Sequence, residues 1–245
     1  MDADPLHQPL DWAKSYPYFV PARSYVLRAG GYSELPAGAP LPDLSGRRAV
    51  LACGSNRSPV RLAQKFPRPD GAGIPVIHAR LSDFDAVYSA HFAAYGAIPA
   101  TLQKAPGAVV GLSVTWLTDH ELECMHETEI AGGNYDFGVL EGVHLELDGG
   151  PTLERVSTYI SRRGCLAPDG APVALAAVTA RRRLWAALSQ TEILTLARDR
   201  LAPGQSLHHF LLETIADRSV RRARIDALAG ICQAFSYANF RPALF

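Results

Sequence analysis

Short apolar runs and helical repeats follow one another along the chain and predict where strands give way to helices. Six runs have the length and the flanking Gly, Pro or polar residues typical of strands, namely residues 48–53, 74–78, 85–90, 108–116, 136–146 and 155–161. Two helices interrupt them, one after Ser58 and one after Thr118. From about residue 172 onward the pattern is helical. Strands first and helices last predict an α+β fold.

The chain divides into three predicted parts. Residues 1–46 are rich in aromatic residues and proline, which predicts an extended N-terminal arm packed on the body. Residues 47–165 hold the predicted strands, and residues 166–245 form a predicted helical extension. Within the extension, Ser189 and Glu192 have the spacing of a capping box, and two further helices are expected from Ser206 to Ala216 and from Asp217 to Phe235.

Composition indicates a folded protein without a strong electrostatic partner. Of the 245 residues, 48% are hydrophobic and 20% are charged, and 24 basic residues balance 24 acidic ones. No global field therefore attracts nucleic acid or a membrane. The arginine runs at 181–183 and 221–224 are interpreted as solvated helix surfaces rather than a nucleic-acid interface.

The expected location is the cytoplasm. Residues 1–5 show no secretory signal, and no run approaches the roughly 18 apolar residues of a membrane span. The four cysteines are scattered without a CxxC pair and are expected to be reduced thiols.

The first candidate site is the turn Cys53, Gly54, Ser55 and Asn56. It follows a buried strand and precedes a predicted helix with Ser58 as N-cap. Gly54 permits close approach of a ligand, and the N–H groups at the helix start suit a carboxylate or phosphate. An ordinary capped turn is the alternative. Neither nucleotide-binding glycine motif is present, and Cys53 is interpreted as a buried small residue more readily than as a nucleophile.

The second candidate site is Glu129. Thr118 is expected to start a helix that places Leu122, Met125 and Glu129 on one buried face. The other acidic residues are expected in water, namely Glu121, Glu123 and Glu127. Burial would raise the pKa of Glu129 and suit it to acid/base chemistry near neutral pH. The alternative is that the helix frays before Glu129. The histidines of this helix lack the HExxH spacing, so no metal site is predicted.

Together the two segments resemble the γ-glutamylcyclotransferase-like family. Its Tyr-Gly-Ser-Asn-type loop is matched by residues 53–56, and its Gly-x5-Leu strand by residues 111–117. Glu129 stands at the position of its catalytic glutamate, and Tyr135 at its Gly-x-Tyr motif. Residues 95–102 are similar to its middle segment. Cys53 replaces the usual tyrosine, and the C-terminal extension has no counterpart in the minimal family fold.

The resemblance implies a small mixed β-barrel and a cofactor-independent reaction without a metal. A γ-glutamyl compound would cyclise to 5-oxoproline and release an amine or amino acid, with Glu129 as general acid/base. Substrate binding would fall to Cys53, Gly54, Ser55 and Asn56 together with Tyr135. The alternative is a non-catalytic small-molecule-binding or scaffold protein on the same fold. The oligomeric state and the leaving amine stay open.

Overall fold

The computed structural model describes residues 7–130 and 132–243. Residues 1–6, which carry the expectation that no signal peptide is present, lie outside the described residues. Among the helices in the described part, none has both the length and the apolar character needed to cross a bilayer.

Six α-helices and thirteen strands are assigned within this described part. The helices are α1 His7–Lys14, α2 Pro59–Lys65, α3 Asp119–Glu129, α4 Gln190–Leu201, α5 Leu207–Ala216 and α6 Arg218–Leu228. The longer strands are β3 Arg48–Ala52, β4 Ile74–Tyr88, β5 Ala100–Leu117, β6 Tyr135–Leu147 and β7 Thr152–Ser161. The shorter strands are β1 Tyr25–Arg28, β2 Gly31–Glu34, β8 Cys165–Leu166, β9 Ala174–Leu175, β10 Ala180–Arg181, β11 Ala187–Leu188, β12 Cys232–Gln233 and β13 Phe240–Pro242.

The five longer strands close into a mixed barrel. Antiparallel pairing links β3 to β5, β5 to β4, β4 to β6 and β6 to β7. The ring is completed by a parallel pairing of β3 with β7, in which Val50 lies opposite Ser157. The predicted α+β fold with a small mixed barrel is confirmed.

Strand β4 joins two segments that the sequence pattern separates. The runs 74–78 and 85–90 belong to one strand, whose register against β5 shifts between Ser82 and Phe84. At the shift, Asp83 has a φ of 65°, a left-handed conformation that Asp tolerates better than most residues. The polar bulge interrupts the apolar pattern without ending the strand.

The N-terminal region contains more regular structure than the predicted extended arm. Helix α1 is followed by the hairpin of β1 and β2, and β1 pairs with β4. The arm is therefore joined to the barrel sheet by backbone hydrogen bonds as well as by packing.

The prediction that the pattern is helical from about residue 172 onward is wrong for the first part of that region. Residues 174–188 form three short strands and turns, and two of those strands extend the barrel sheet through β4 and β5. Arg181 consequently lies in β10 and residues 182–183 lie in the loop after it, rather than in a helix. The arginines 221–224 do lie in α6, which ends at Leu228, seven residues short of its predicted end at Phe235. The capping box at Ser189 is confirmed.

A separate apolar cluster fixes the helices that carry the candidate site. The cluster contains Leu62 and Phe66 from the α2 region and Met125 from α3. These side chains pack with Tyr25 of β1 and Phe137 of β6, so both helices lie against the sheet. All five residues are buried. Because interiors are close-packed, this cluster holds the ends of α2 and α3 beside the first turn after β3.

Candidate functional site

The first candidate segment forms a tight connection between β3 and α2. After Ala52 the chain passes through Gly54 into a single 3₁₀ turn at Ser55–Arg57, and Pro59 occupies the first turn of α2. Ser58 is the N-cap residue as predicted, but its hydroxyl makes no capping hydrogen bond. The connection lacks room for side chains at its tightest point: a Cβ added to Gly54 would lie 2.0 Å from the hydroxyl oxygen of Tyr16.

Helix α3 begins where the pattern predicts and extends to Glu129. Thr118 and Glu121 form a complete capping box, and Glu129 is the last helical residue. Met125 is buried, and Glu129 is partly buried, with 17% of its side chain exposed. The helix therefore does not fray before Glu129.

The expectation that Glu121 faces water is wrong. Its carboxylate forms an ion pair with Arg47 at 3.0 Å and accepts hydrogen bonds from the N–H groups of Thr118 and Asp70. The ion pair and the two hydrogen bonds compensate the free energy that burying the Glu121 carboxylate would otherwise cost. Glu123 and Glu127 are exposed, as expected.

Glu129 is held by two residues of the neighbouring segment. Its Oε1 atom forms an ion pair with the ammonium of Lys65, and it accepts a hydrogen bond from Nδ2 of Asn56 at 3.1 Å. Lys65 is the last residue of α2, and its side chain is only 3% exposed. No hydrogen bond within the described part of the chain engages Oε2 of Glu129.

The expected direction of the Glu129 pKa is wrong. Burial does act to raise it, but the charge and hydrogen bond of Lys65, with the hydrogen bond from Asn56, outweigh burial and lower the pKa below its usual value. For Lys65 itself, burial lowers the pKa and Glu129 offsets part of that effect. Glu129 is therefore an anionic carboxylate at neutral pH.

All six predicted site residues line one cavity of about 280 Å³. They are Cys53, Gly54, Ser55, Asn56, Glu129 and Tyr135. Every lining residue within the described ranges lies between Tyr16 and Tyr159, so none belongs to the C-terminal helices. The cavity therefore remains available for a small ligand despite the extension.

Tyr16 comes from the N-terminal arm and forms part of the cavity wall. Its hydroxyl oxygen accepts a hydrogen bond from the N–H of Ala100 at 2.7 Å and also contacts the backbone of Ser55. Since the oxygen is used as an acceptor, the hydroxyl proton is left to donate. A tyrosine hydroxyl thus lies beside Gly54 although position 53 is a cysteine.

Cys53 has the properties of a packing residue. It is 8% exposed, and burial raises the pKa of its thiol to about 12, so the nucleophilic thiolate is absent at neutral pH. This favours the interpretation of Cys53 as a small residue of the cavity wall.

The cavity wall also contains a neutral histidine. His91 is 2% exposed, and its Nδ1 lies 2.6 Å from Oγ of Ser89. Burial lowers the pKa of His91 to about 3. Its ring meets that of Tyr135 edge to face with centroids 5.4 Å apart, and the Tyr135 hydroxyl donates to the Ala100 carbonyl at 3.3 Å.

Several residues of this site were not predicted as site residues from the sequence, namely Tyr16, Arg61, Lys65, His91 and Tyr95. The sequence does contain a signal for Lys65. It lies three positions after Leu62, which is buried, and this spacing places Lys65 on the inner face of α2. The other residues reach the cavity through tertiary packing.

The fold and site together define an α+β protein whose five-stranded barrel carries an acidic residue in a small-molecule-sized cavity. No protein-family model and no curated protein sequence matches the chain significantly.

Solved structures that resemble the chain include a γ-glutamyl cyclotransferase, 22% identical over 46% of this chain and 66% of that one, with a TM-score of 0.37. The uncharacterized human protein loc79017 is 16% identical over 79% of this chain and 92% of that one, with a TM-score of 0.40. At5g39720.1 from Arabidopsis thaliana is 20% identical over 49% and 72%, with a TM-score of 0.37. The class of protein that the motifs resemble is therefore represented among these structures.

Proposed function

We propose that the chain is a γ-glutamyl cyclotransferase-like enzyme that converts a γ-glutamyl compound into 5-oxoproline and a free amine or amino acid. The observation that carries the proposal is the anionic Glu129 carboxylate in the same cavity as the Gly54–Asn56 turn, with Lys65 and Asn56 both fixing Oε1. Fixing one oxygen orients the carboxylate and leaves Oε2 for a substrate proton.

Two acceptors suit the substrate's ammonium group. One is Oε2 of Glu129, and the other is Oδ1 of Asn56, which is buried and has no hydrogen-bond donor among the described residues. Burying an acceptor without a hydrogen-bond donor costs free energy, and a hydrogen bond from an ammonium N–H would remove that cost. The Tyr16 hydroxyl, next to Gly54, is placed to donate to the oxygen of the γ-carbonyl as negative charge develops there.

The reaction requires two protons to leave the attacking nitrogen and two to reach the leaving nitrogen. Glu129 accepts the first proton from the α-ammonium, and the resulting amine attacks the γ-carbonyl carbon. Bond formation makes that nitrogen strongly acidic, so its second proton is lost readily. Glu129 carries these protons one at a time to the leaving nitrogen, the carbon–nitrogen bond breaks, and the carboxylate is restored.

Holding the two reacting groups in one small cavity supplies much of the rate enhancement, because the attack is intramolecular and needs only the correct substrate conformation. The first proton transfer is uphill, since an α-ammonium has a pKa of about 8 and that of Glu129 is lowered. The low pKa nevertheless keeps Glu129 in its basic form throughout the neutral range.

A non-catalytic small-molecule-binding role is the second candidate. The Lys65 ion pair favours it, because the ammonium neutralises Glu129 and weakens it as a base. In that role the cavity would hold a ligand without turning it over.

The test is the formation of 5-oxoproline from a panel of γ-glutamyl amines and dipeptides. We expect activity from the wild type and from Glu127→Gln, whose site is exposed on the same helix, and loss of activity in Glu129→Gln. Equal activity in both variants would remove Glu129 from the mechanism. Binding of a panel member without product would support the second candidate.

A further inference from the structure

A second cavity of about 450 Å³ lies apart from the Glu129 cavity and shares no lining residue with it. Its polar walls come from Arg57, His78, Arg80, Asp148 and Thr179. Arg57 closes the 3₁₀ turn that carries Asn56, so one short segment contributes a residue to each of the two cavities.

Arg57 is a buried cation without a counter-ion in the described part of the chain. The residue is 8% exposed, its guanidinium forms no ion pair or hydrogen bond there, and its Nε is buried without an acceptor. The backbone is secured separately, since the Arg57 carbonyl accepts a hydrogen bond from the Tyr25 hydroxyl at 2.9 Å. Burying an unpaired charge is strongly unfavourable, and proteins ordinarily compensate it with an anion.

His78 adds a second unsatisfied group to the same cavity. Its Nε2 is buried without a hydrogen-bond partner in the described residues. Burial and then the charge of Arg57 lower the pKa of His78, so the ring is neutral at pH 7 and can present an N–H from Nε2.

The remaining charges do not neutralise Arg57. Arg80 is itself basic and forms its ion pair with Glu146 at 3.0 Å. Asp148 is exposed, and its backbone N–H donates to the His78 carbonyl at 2.7 Å. The cavity thus has a cationic interior and an acidic residue at its surface.

We propose that this cavity binds a small oxyanion, a carboxylate or phosphate group, with Arg57 as its charge partner and His78 as a hydrogen-bond donor. The planar guanidinium fork fits two oxygens of such a group. The occupant would also stabilise the turn that positions Asn56.

The test is calorimetric titration at pH 7 with inorganic phosphate and, separately, with acetate, at ionic strength held constant with sodium chloride. We expect saturable binding of at least one anion to the full chain, weakened at least tenfold by Arg57→Met and also reduced by His78→Ala. The matched control is Arg48→Met, whose arginine pairs with Asp119 in solvent and should bind like the wild type. Phosphate binding without acetate binding identifies the phosphate class, and the reverse identifies the carboxylate class.

Absence of binding to the wild type, or unchanged binding to Arg57→Met, overturns the proposal. A second measurement uses the wild-type protein alone, in case Arg57→Met does not fold. The Nε–H signal of Arg57, observed by nuclear magnetic resonance, should shift saturably with the binding anion. A signal that moves no more than with chloride also overturns the proposal.

Discussion

Replacing Lys65 with methionine should destabilise the protein at neutral pH, and the loss should shrink as the pH falls. Methionine keeps the length and apolar stem of the side chain but removes the ammonium from Glu129. Both partners are largely buried, with 3% and 17% of their side chains exposed. Removing one member of a buried pair costs about 3 kcal/mol or more, because the other charge is left uncompensated.

The pH dependence follows from the direction of the pKa change. In the wild type the pKa of Glu129 is lowered, so the pair stabilises the fold above the unfolded-state pKa of about 4.3 and loses this effect as pH falls through the folded-state value. In the variant, burial is no longer opposed by Lys65, so the pKa of Glu129 lies higher than in the wild type and the carboxylate takes up a proton at a higher pH. The difference between the two proteins should therefore be largest near pH 7 and smaller by about pH 4–5.

Urea unfolding followed by tryptophan fluorescence at each pH measures the difference in unfolding free energy between the wild type and the variant. At neutral pH, a loss of about 3 kcal/mol corresponds to a decrease of roughly 6–12 °C in Tm for a chain of this length. The exposed-pair control Arg48→Met should change stability by less than about 1 kcal/mol. The double variant Lys65→Met with Glu129→Gln should recover most of the loss, because no buried charge remains. A loss below about 1 kcal/mol at pH 7, or one that does not change with pH, would refute the reasoning.

Three further predictions concern the cavity wall, two from substitutions and one from chemical labelling. Tyr16→Phe should cost about 1–3 kcal/mol in thermal unfolding, because a backbone N–H of β5 loses its buried acceptor; a neutral result would show that the bond contributes nothing. Gly54→Ala should cost about 1–3 kcal/mol and reduce ligand binding, whereas Gly31→Ala, where an added Cβ meets nothing within 4 Å, should not. At pH 8, iodoacetamide should label the exposed Cys232 and spare the buried Cys53 in the native protein, as mass spectrometry of peptides can show. Equal labelling of both would contradict the assignment of Cys53 as a packing residue.

The barrel could largely be predicted because its strands carry local signals. The apolar run ending at Ala52 and the capping box at Thr118 each define an element whose observed boundary lies within about one residue of the prediction. The division of β4 into two strands was wrong because Asp83 forms a bulge, and a bulge interrupts apolar alternation without ending backbone pairing.

The region from 172 to 188 could not be assigned correctly from its own residues. Strands β9, β10 and β11 have two residues each and depend on partners elsewhere in the fold: β9 pairs with β4, β10 pairs with β5, and β11 pairs with β9. Two residues are too few for either a strand or a helix period to show.

The chemistry of the site was predicted in part. The six expected residues line one cavity, but the pKa of Glu129 depends on Lys65, which lies 64 positions earlier in the chain. Periodicity can place a carboxylate on an inner face, whereas its charge state depends on what the fold brings opposite it. Tyr16 shows the same limit, since nothing local to the arm indicates that its hydroxyl reaches Ala100.

The most direct test of the proposed mechanism is the kcat for 5-oxoproline formation by Glu129→Gln compared with that of the wild type, each saturated with the same γ-glutamyl substrate. Glutamine keeps the shape of the side chain and its place beside Lys65 and Asn56 but cannot carry a proton. The account predicts a fall of about 100-fold or more, with substrate still bound and the protein still folded. A variant that keeps kcat within a few-fold of the wild type would contradict the role of Glu129 as the acid/base.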